Sequence, residues 1–282
     1  MSKFVKKYLD SCIECAYAKT RSKCNEGLLH PIAKVAVPFH TIHVDHLGPF
    51  VRSKRGYTYL LVIVDGFTKF CFIKPVRNTN SLNAIRALED IFFTFRVPDR
   101  IISDRGSCFT SHTFTRFCMD RGTKHILNAV ASPRSNGQVE RYNRTILDSL
   151  KAMTVKYGEK NWDNHLGKIQ WGLNNTIQKT TGKTPSEVLF GTLMNSEMNP
   201  ILNAVPKGSD KNCDVSVLRQ GVKDRIDIEQ VKQKQTFDKG RKPAQLYAEG
   251  ELIKITKTCF NNDGQSKKLM PSYIGPYRVA KI

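Results

Sequence analysis

The sequence contains no apolar run long enough to cross a bilayer. Its longest, Tyr59–Val64 (YLLVIV), is far short of the roughly twenty residues a spanning helix needs. No signal peptide is expected at the start, because Ser2–Asp10 is basic and polar with no apolar stretch behind it. A disulfide framework is missing too. The cysteines, at positions 12, 15, 24, 71, 108, 118, 213 and 259, do not fall at framework spacings, and several lie inside apolar runs. That usage suits free thiols in a reducing, intracellular compartment. Acidic residues are scarce against basic ones, 25 to 45, leaving a formal charge of +20 over 282 residues. The expected partner is therefore an acidic polymer rather than a membrane, although a basic surface can also serve solubility alone. With 40% hydrophobic and 25% charged residues the composition is globular. The length suits one domain of ordinary size flanked by smaller modules.

From His40 onward the pattern is one of strands followed by helices. FHTIHVDHLG alternates apolar and polar residues through Asp45, and GYTYLLVIVDGFTKFCFIKPV is two β-rich runs broken at Asp65-Gly66, a dipeptide that favours a tight hairpin turn. Three antiparallel strands result. Ile85, Leu88, Ile91, Phe92 and Phe95 recur at helical spacing until Pro98, RIISDRG is a short strand ending at Asp104, HTFTRFCMDRG is an amphipathic helix closed by Gly122, and KHILNAVA is a last strand. This order predicts a mixed sheet flanked by helices. Ala131–Gln138 reads as a loop leading into a long helix over Val139–Tyr157, with another helical stretch after Trp162. Thr184-Pro185-Ser186-Glu187 has the form of a helix N-terminus, with a threonine cap, proline first and glutamate third. Val215–Lys239 reads as a charge-alternating, solvent-exposed helix, and Glu249–Ile282 carries short β-like runs that suggest a small barrel.

Three acids stand out by position. Asp45 and Asp104 end strands, and Glu140 sits in the first turn of the long helix, so the sheet can bring the three together. A bare cluster of carboxylates repels itself. Hard divalent cations relieve that repulsion, and two of them can activate an attacking oxygen and stabilise a leaving one in phosphoryl transfer. Taken singly, a strand-end aspartate is more often a turn former, and a glutamate at a helix start is explained by the helix dipole. Asp65 is read as a hairpin residue because Gly66 follows it. His43 and His46, flanking Asp45, are taken to share a sheet face and to be supporting residues rather than ligands. Asn143, Arg144, Leu147 and Lys151 share a helix face with Glu140, which would aim Arg144 and Lys151 at phosphates, or simply at solvent.

The strings HVDHLGPF, IISDRGSCFTS and SPRSNGQVERYNRTI around the acids, with thirty-five residues between Asp104 and Glu140, resemble the integrases of retroviruses and, more closely, of gypsy-type long-terminal-repeat retrotransposons. The resemblance runs over about Lys6–Gly191 and returns at Gly275-Pro276-Tyr277. It implies an α/β, ribonuclease-H-like core with a mixed five-stranded sheet flanked by helices, a helical linker and a small, incomplete C-terminal β-barrel. It further implies a nucleic-acid-binding polynucleotidyl transferase and endonuclease of DNA recombination. In such enzymes water trims the element's 3′ ends and the exposed hydroxyl then attacks target DNA. Asp45, Asp104 and Glu140 map onto the family's catalytic, metal-binding acids, with two Mg²⁺ (or Mn²⁺) ions as cofactor. Arg134, Asn143, Arg144 and Lys151 fall where double-stranded DNA would be met. Homo-oligomers are implied, as is work in the nucleus or a retroelement nucleoprotein particle.

On this reading residues 1–33 are a remnant of an N-terminal zinc-binding module, 34–197 the integrase catalytic core, 198–245 a linker with a helix, and 246–282 a partial DNA-binding barrel. Cys12 and Cys15 form a C-x-x-C pair resembling half of the family's zinc site, but no histidine precedes Cys12. A closed zinc site needs four ligands, so Zn²⁺ is not expected. The competing expectations are a non-catalytic, host-retained DNA-binding protein derived from an integrase, and a structure-selective nuclease. The first is opposed by retention of a self-repelling acid cluster. The second is opposed by the spacing that ends on a helical glutamate.

Overall fold

The computed structural model describes residues 3–5, 8, 12, 27–128, 137–192, 194, 214–243, 246–256 and 273–281. Among them no helix is long and apolar enough to cross a membrane. By internal packing the chain divides into a larger unit, Ile32–Gln230, and a smaller one composed of Met1–Pro31 with Val231–Ile282.

The larger unit is built on a five-stranded mixed sheet of order β3-β2-β1-β4-β5. Strands β1 (Thr41–Leu47), β2 (Tyr59–Asp65) and β3 (Cys71–Val76) form an antiparallel meander. Strands β4 (Arg100–Ser103) and β5 (Lys124–Leu127) join β1 in parallel. The unbroken apolar run of β2 matches its place, because the strand is buried on both faces. Leu61 and Ile63 face one core cluster with Ile42, Val44 and Phe109, whereas Leu60, Val62 and Val64 face the other with Val139, Ile146 and Trp162.

Helix α1 (Ser81–Thr94) starts where the Asn80 side chain accepts the Asn83 N–H, and it buries Ala84, Leu88, Ile91 and Phe92 on the first cluster. After β4 come a short helix α2 (Ser107–Thr110), which the sequence pattern does not reveal, and α3 (His112–Asp120), capped by Ser111. On the opposite face lie α4 (Gly137–Tyr157), a 3₁₀ helix (Glu159–His165) and α5 (Leu166–Asn174). Two side chains of α5 cover the edge strand. Asn174 accepts from the Cys71 N–H and donates to the Cys71 carbonyl, and Gln170 accepts from the Ile73 N–H. Such bonds blunt an edge that would otherwise offer open backbone groups.

Helix α6 (Pro185–Phe190) begins as its sequence requires, with the Thr184 hydroxyl accepting the Glu187 N–H at 3.1 Å, and stops at left-handed Gly191. Helix α7 (Val215–Asp238) is polar by composition, and a wholly exposed connector is expected from that. In the larger unit, however, Val222 and Ile226 are buried against Phe67 and Val188, and Arg219 donates to the Leu189 carbonyl at 2.7 Å. Two apolar residues one turn apart suffice to dock it, a signal too sparse to stand out among charges.

In the smaller unit the end of α7 holds the preceding segment. Leu29 N–H donates to Asp238 and Lys234 donates to the Leu29 carbonyl. Among the described residues the expected barrel is present only as an antiparallel pair, β6 (Leu252–Thr256) and β7 (Tyr273–Arg278).

Candidate active site

Parallel pairing of β1 with β4 sets Val44 opposite Ser103, so the next residues, Asp45 and Asp104, lie side by side. Asp104 follows the end of β4, whereas β1 does not end at Asp45 as its sequence suggests but runs on to Leu47, paired with β2. Asp104 is exposed, and its carboxylate accepts the Gly106 N–H at 3.0 Å. A Cβ on Gly106 would sit 3.1 Å from that same oxygen, so the glycine makes room for the acid. Glu140 is exposed in the first turn of α4. The rotation of that helix is set by Val139, Tyr142, Ile146 and Leu150, all buried in the second cluster. The Tyr142 hydroxyl fixes it further by donating to the Lys69 carbonyl at 2.6 Å.

The helix reaches Asp45 directly. Asn143, only 9% exposed, donates from Nδ2 to Asp45 Oδ2 at 2.7 Å. The sequence places Asn143 beside Glu140 but assigns it to DNA; the structure places it against the carboxylate. Burial pushes the Asp45 carboxyl up to about 6, and Asp104 pushes the same way. The Asn143 and His46 N–H bonds oppose that, and Glu140 adds a smaller upward push. Asp104 and Glu140 thus both oppose ionisation of Asp45, as like charges nearby do.

The flanking histidines do not share a face. Three residues apart on a strand, they point to opposite sides. His43 is buried on the side of Asp45, pairing across from Val64, whereas His46 pairs across from Leu61 and lies 5.1 Å from the Phe109 ring. Burial pushes the His46 imidazole down to about 4, with Asp104 opposing, so it carries no charge at neutrality to offset the acids.

Asp65 stands apart, paired across from Ile42 rather than Asp45. It is 1% exposed, and it accepts the Phe39 N–H, the Thr68 N–H and the Thr68 hydroxyl at 3.0, 2.8 and 2.6 Å. It organises a turn longer than the expected two residues, since β3 resumes only at Cys71. Gly66 is required there for a different reason from positive φ: its N–H meets the Thr41 carbonyl at 2.8 Å, and a Cβ would also come within 2.8 Å of that oxygen.

Beneath Asp104 lies a link with no local signature. Ser103, fully buried, donates to the Asp104 carbonyl at 2.9 Å and contacts His125 Nε2 at 2.8 Å across the β4–β5 pair. Of the remaining expected residues, Arg144 and Lys151 are exposed on α4, Lys151 lying 3.3 Å from Asp148. Cys12 is half-buried, and Arg134 and Cys15 fall outside the described residues.

Among the described residues no group of three or more His, Cys, Asp or Glu stands in position to hold a metal ion. The acids are coupled electrostatically without closing into a ligand sphere, an approach that bare like charges oppose. Their chemistry, carboxylate oxygen alone with an uncharged imidazole behind, is that taken by Mg²⁺ or Mn²⁺.

Residues 36–133 match the integrase core domain family, a span that includes Asp45 and Asp104 and ends before Glu140. Over 98% of its length the chain is 26% identical to the Transposon Tf2-3 polyprotein of Schizosaccharomyces pombe, and several sister Tf2 polyproteins match equally. The chain spans about a fifth (21%) of the length of those relatives. Its fold is similar to that of a chain in the simian T-cell lymphotropic virus intasome bound to PP2A regulatory subunit B56 gamma, with a TM-score of 0.54 and 22% identity, covering 75% of this chain and 73% of that one. The catalytic core of HTLV-2 integrase in complex with magnesium, at 26% identity, aligns with a TM-score of 0.44 over 54% of this chain and 96% of its own.

Proposed function

We propose that this chain, which carries a retroelement integrase core domain, trims the 3′ ends of element DNA and joins them to target DNA, with Asp45, Asp104 and Glu140 as its catalytic acids. The observation that supports the proposal is geometric: the β1–β4 register sets Asp45 beside Asp104, and Asn143, on the same helix α4 as Glu140, donates to the Asp45 carboxylate at 2.7 Å. The three would hold Mg²⁺ or Mn²⁺, and such ions, when bound, activate an attacking oxygen and stabilise a leaving one. Neither step needs a protein nucleophile. Asn143 orients Asp45 through its 2.7 Å bond, and Arg144 and Lys151 meet phosphate from the exposed side of α4. The proposal includes double-stranded DNA as partner, assembly of several copies, and work in the nucleus or an element nucleoprotein particle.

The test is a strand-transfer assay with short duplexes carrying candidate element ends. Asp45→Asn, Asp104→Asn and Glu140→Gln are each expected to abolish end trimming and joining together, and double variants to lose little more. DNA binding should persist or tighten, because each change deletes a negative charge near phosphate. Joining that survives any one of the three would remove that acid from the site. A chain that binds DNA and never joins it, even within the longer polyprotein product, would favour a retained DNA-binding role.

A further inference from the structure

A cavity of about 460 Å³ lies over β1, β4 and β5, on the sheet face that carries His43 and Asp45. Helix α4 packs on this face chiefly over β1 and β2, and the segment leading into β1 runs along the uncovered part. The cavity is within the size range of small-molecule sites, and its polar groups are sorted by end.

At one end stand Lys34 and Arg100, with Arg100 at the start of β4 opposite Thr41. Burial holds the Lys34 ammonium below its usual value, with the neighbouring Asp65 carboxylate opposing, and a phosphate in the cavity would add a second anion on that side. At the other end is Asn128, which follows β5. Its backbone is tied down on both sides, the N–H to the Ser103 carbonyl at 3.0 Å and the C=O to Arg105 Nε at 2.9 Å. Its Oδ1 is buried and has no hydrogen-bond partner, in a residue only 9% exposed. A buried acceptor left unpaired is costly, and this one lines a cavity from which a donor can reach it. Between the two ends lie Ile102 and Ile126 on neighbouring parallel strands, and Ile32 and Val35, 60% and 43% exposed, stand at the mouth.

Asn128 sits four strand positions beyond the register of Arg100, on the order of 13 Å along the sheet, a length the side chains at both ends shorten. The occupant should thus be about 10 Å long, anionic at one end, flat and apolar in the middle, and equipped with an N–H donor at the other end. We propose that this cavity binds one nucleoside monophosphate unit, its phosphate at Lys34 and Arg100, its base over Ile102 and Ile126, and a base N–H on Asn128 Oδ1. The unit can be a free nucleotide or the end of a single DNA strand.

The Asn128 end of the cavity adjoins Asp104 through the β4–β5 register, and the proposal is tested by binding alone. Titration calorimetry on the full chain would use dAMP, adenosine, and a 5′-phosphorylated single-stranded trinucleotide. Saturable dAMP binding is expected, weakened about fivefold to tenfold in Asn128→Ala, as loss of one hydrogen bond requires, and weakened further in Lys34→Ala and Arg100→Ala. Adenosine should bind more weakly than dAMP. Lys160→Ala, exposed and outside the lining of the cavity, should bind as the parent does. Asn128→Leu, which removes the unpaired acceptor, should lose dAMP while keeping or raising the melting temperature, and this separates recognition from folding. Tighter trinucleotide binding with the same sensitivity to Asn128 identifies a strand end as the occupant; equal or weaker binding identifies the free nucleotide. Absence of saturable dAMP binding at millimolar concentration, or binding that ignores Asn128 and Lys34 and follows ionic strength alone, would overturn the proposal.

Discussion

Asp45 and Asp65 are both acids of the first hairpin, and their surroundings divide their roles. The Asp45 carboxyl is raised to about 6, above the value of about 3.9 it has in an unfolded chain. A group that holds its proton more tightly when folded gives stability as pH falls from about 6 towards 4 and withdraws it as pH rises. Asp45→Asn should therefore stabilise the metal-free protein at pH 7.5 by about 1 kcal/mol, less than the whole shift implies because the group is partly solvated. The difference should vanish near pH 4, and thermal melts at the two pH values in chelator measure it; equal effects at both would show that repulsion at Asp45 is not the cause. Asp65 is the opposite case. Its oxygens accept three hydrogen bonds in a fully buried turn, and an asparagine turns one oxygen into a donor facing donors. Asp65→Asn should cost roughly 2–3 kcal/mol, far beyond the modest loss expected of an exposed hairpin residue. Denaturant titration would reveal it, and a loss under about 0.5 kcal/mol, the range of surface changes, would contradict the burial argument.

Elements are held in place here by polar groups reaching over long sequence distances. Helix α5 closes the β3 edge through Asn174, which makes both bonds of a backbone pair with Cys71. Asn174→Ala strips a buried N–H and a buried C=O of their partners at once, so the expected loss is about 2–4 kcal/mol. Hydrogen exchange should locate the damage, with protection falling first at Cys71 and Ile73 while β4 and β5 stay protected. Uniform loss across the sheet would mean that Asn174 supports the whole core and not its edge. Helix α4 is fixed the same way, by Tyr142 on Lys69 and Asn143 on Asp45. The position of Glu140 therefore depends on the rotation of a helix whose own sequence only specifies an apolar stripe.

For the molecule as a whole, charge is the dominant property. If DNA is the partner, as proposed, a formal +20 should make binding depend mainly on counterion release. If about six phosphates are met, affinity should fall about 10³-fold between about 50 and 200 mM salt. Arg144→Ala and Lys151→Ala should each reduce the logarithmic salt slope by about one, for all sequences alike. Filter binding or anisotropy across a salt series would decide, and a slope near zero would set the electrostatic account aside.

Much of this fold was legible because its signals are local. The double-sided burial of β2 is written in YLLVIV, the start of α6 in Thr184-Pro185-Ser186-Glu187, and the place of Asp104 just past its strand in RIISDRG, whereas β1 runs two residues beyond Asp45. Periodicity and capping act within a few residues, so sequence alone determines them. Tertiary structure decided what depends on register between distant segments. Asn143 meets Asp45 across 98 positions, Ser103 meets His125 across a parallel pair, and Gly66 is needed by the Thr41 carbonyl rather than by its own turn. Asp65 looks like a turn residue in sequence, and only the packing of Phe39 and Thr68 around it makes it a buried acceptor. A side chain's partner is fixed by which strand lies alongside and in which register, and that is a property of the assembled sheet, not of any short window of residues.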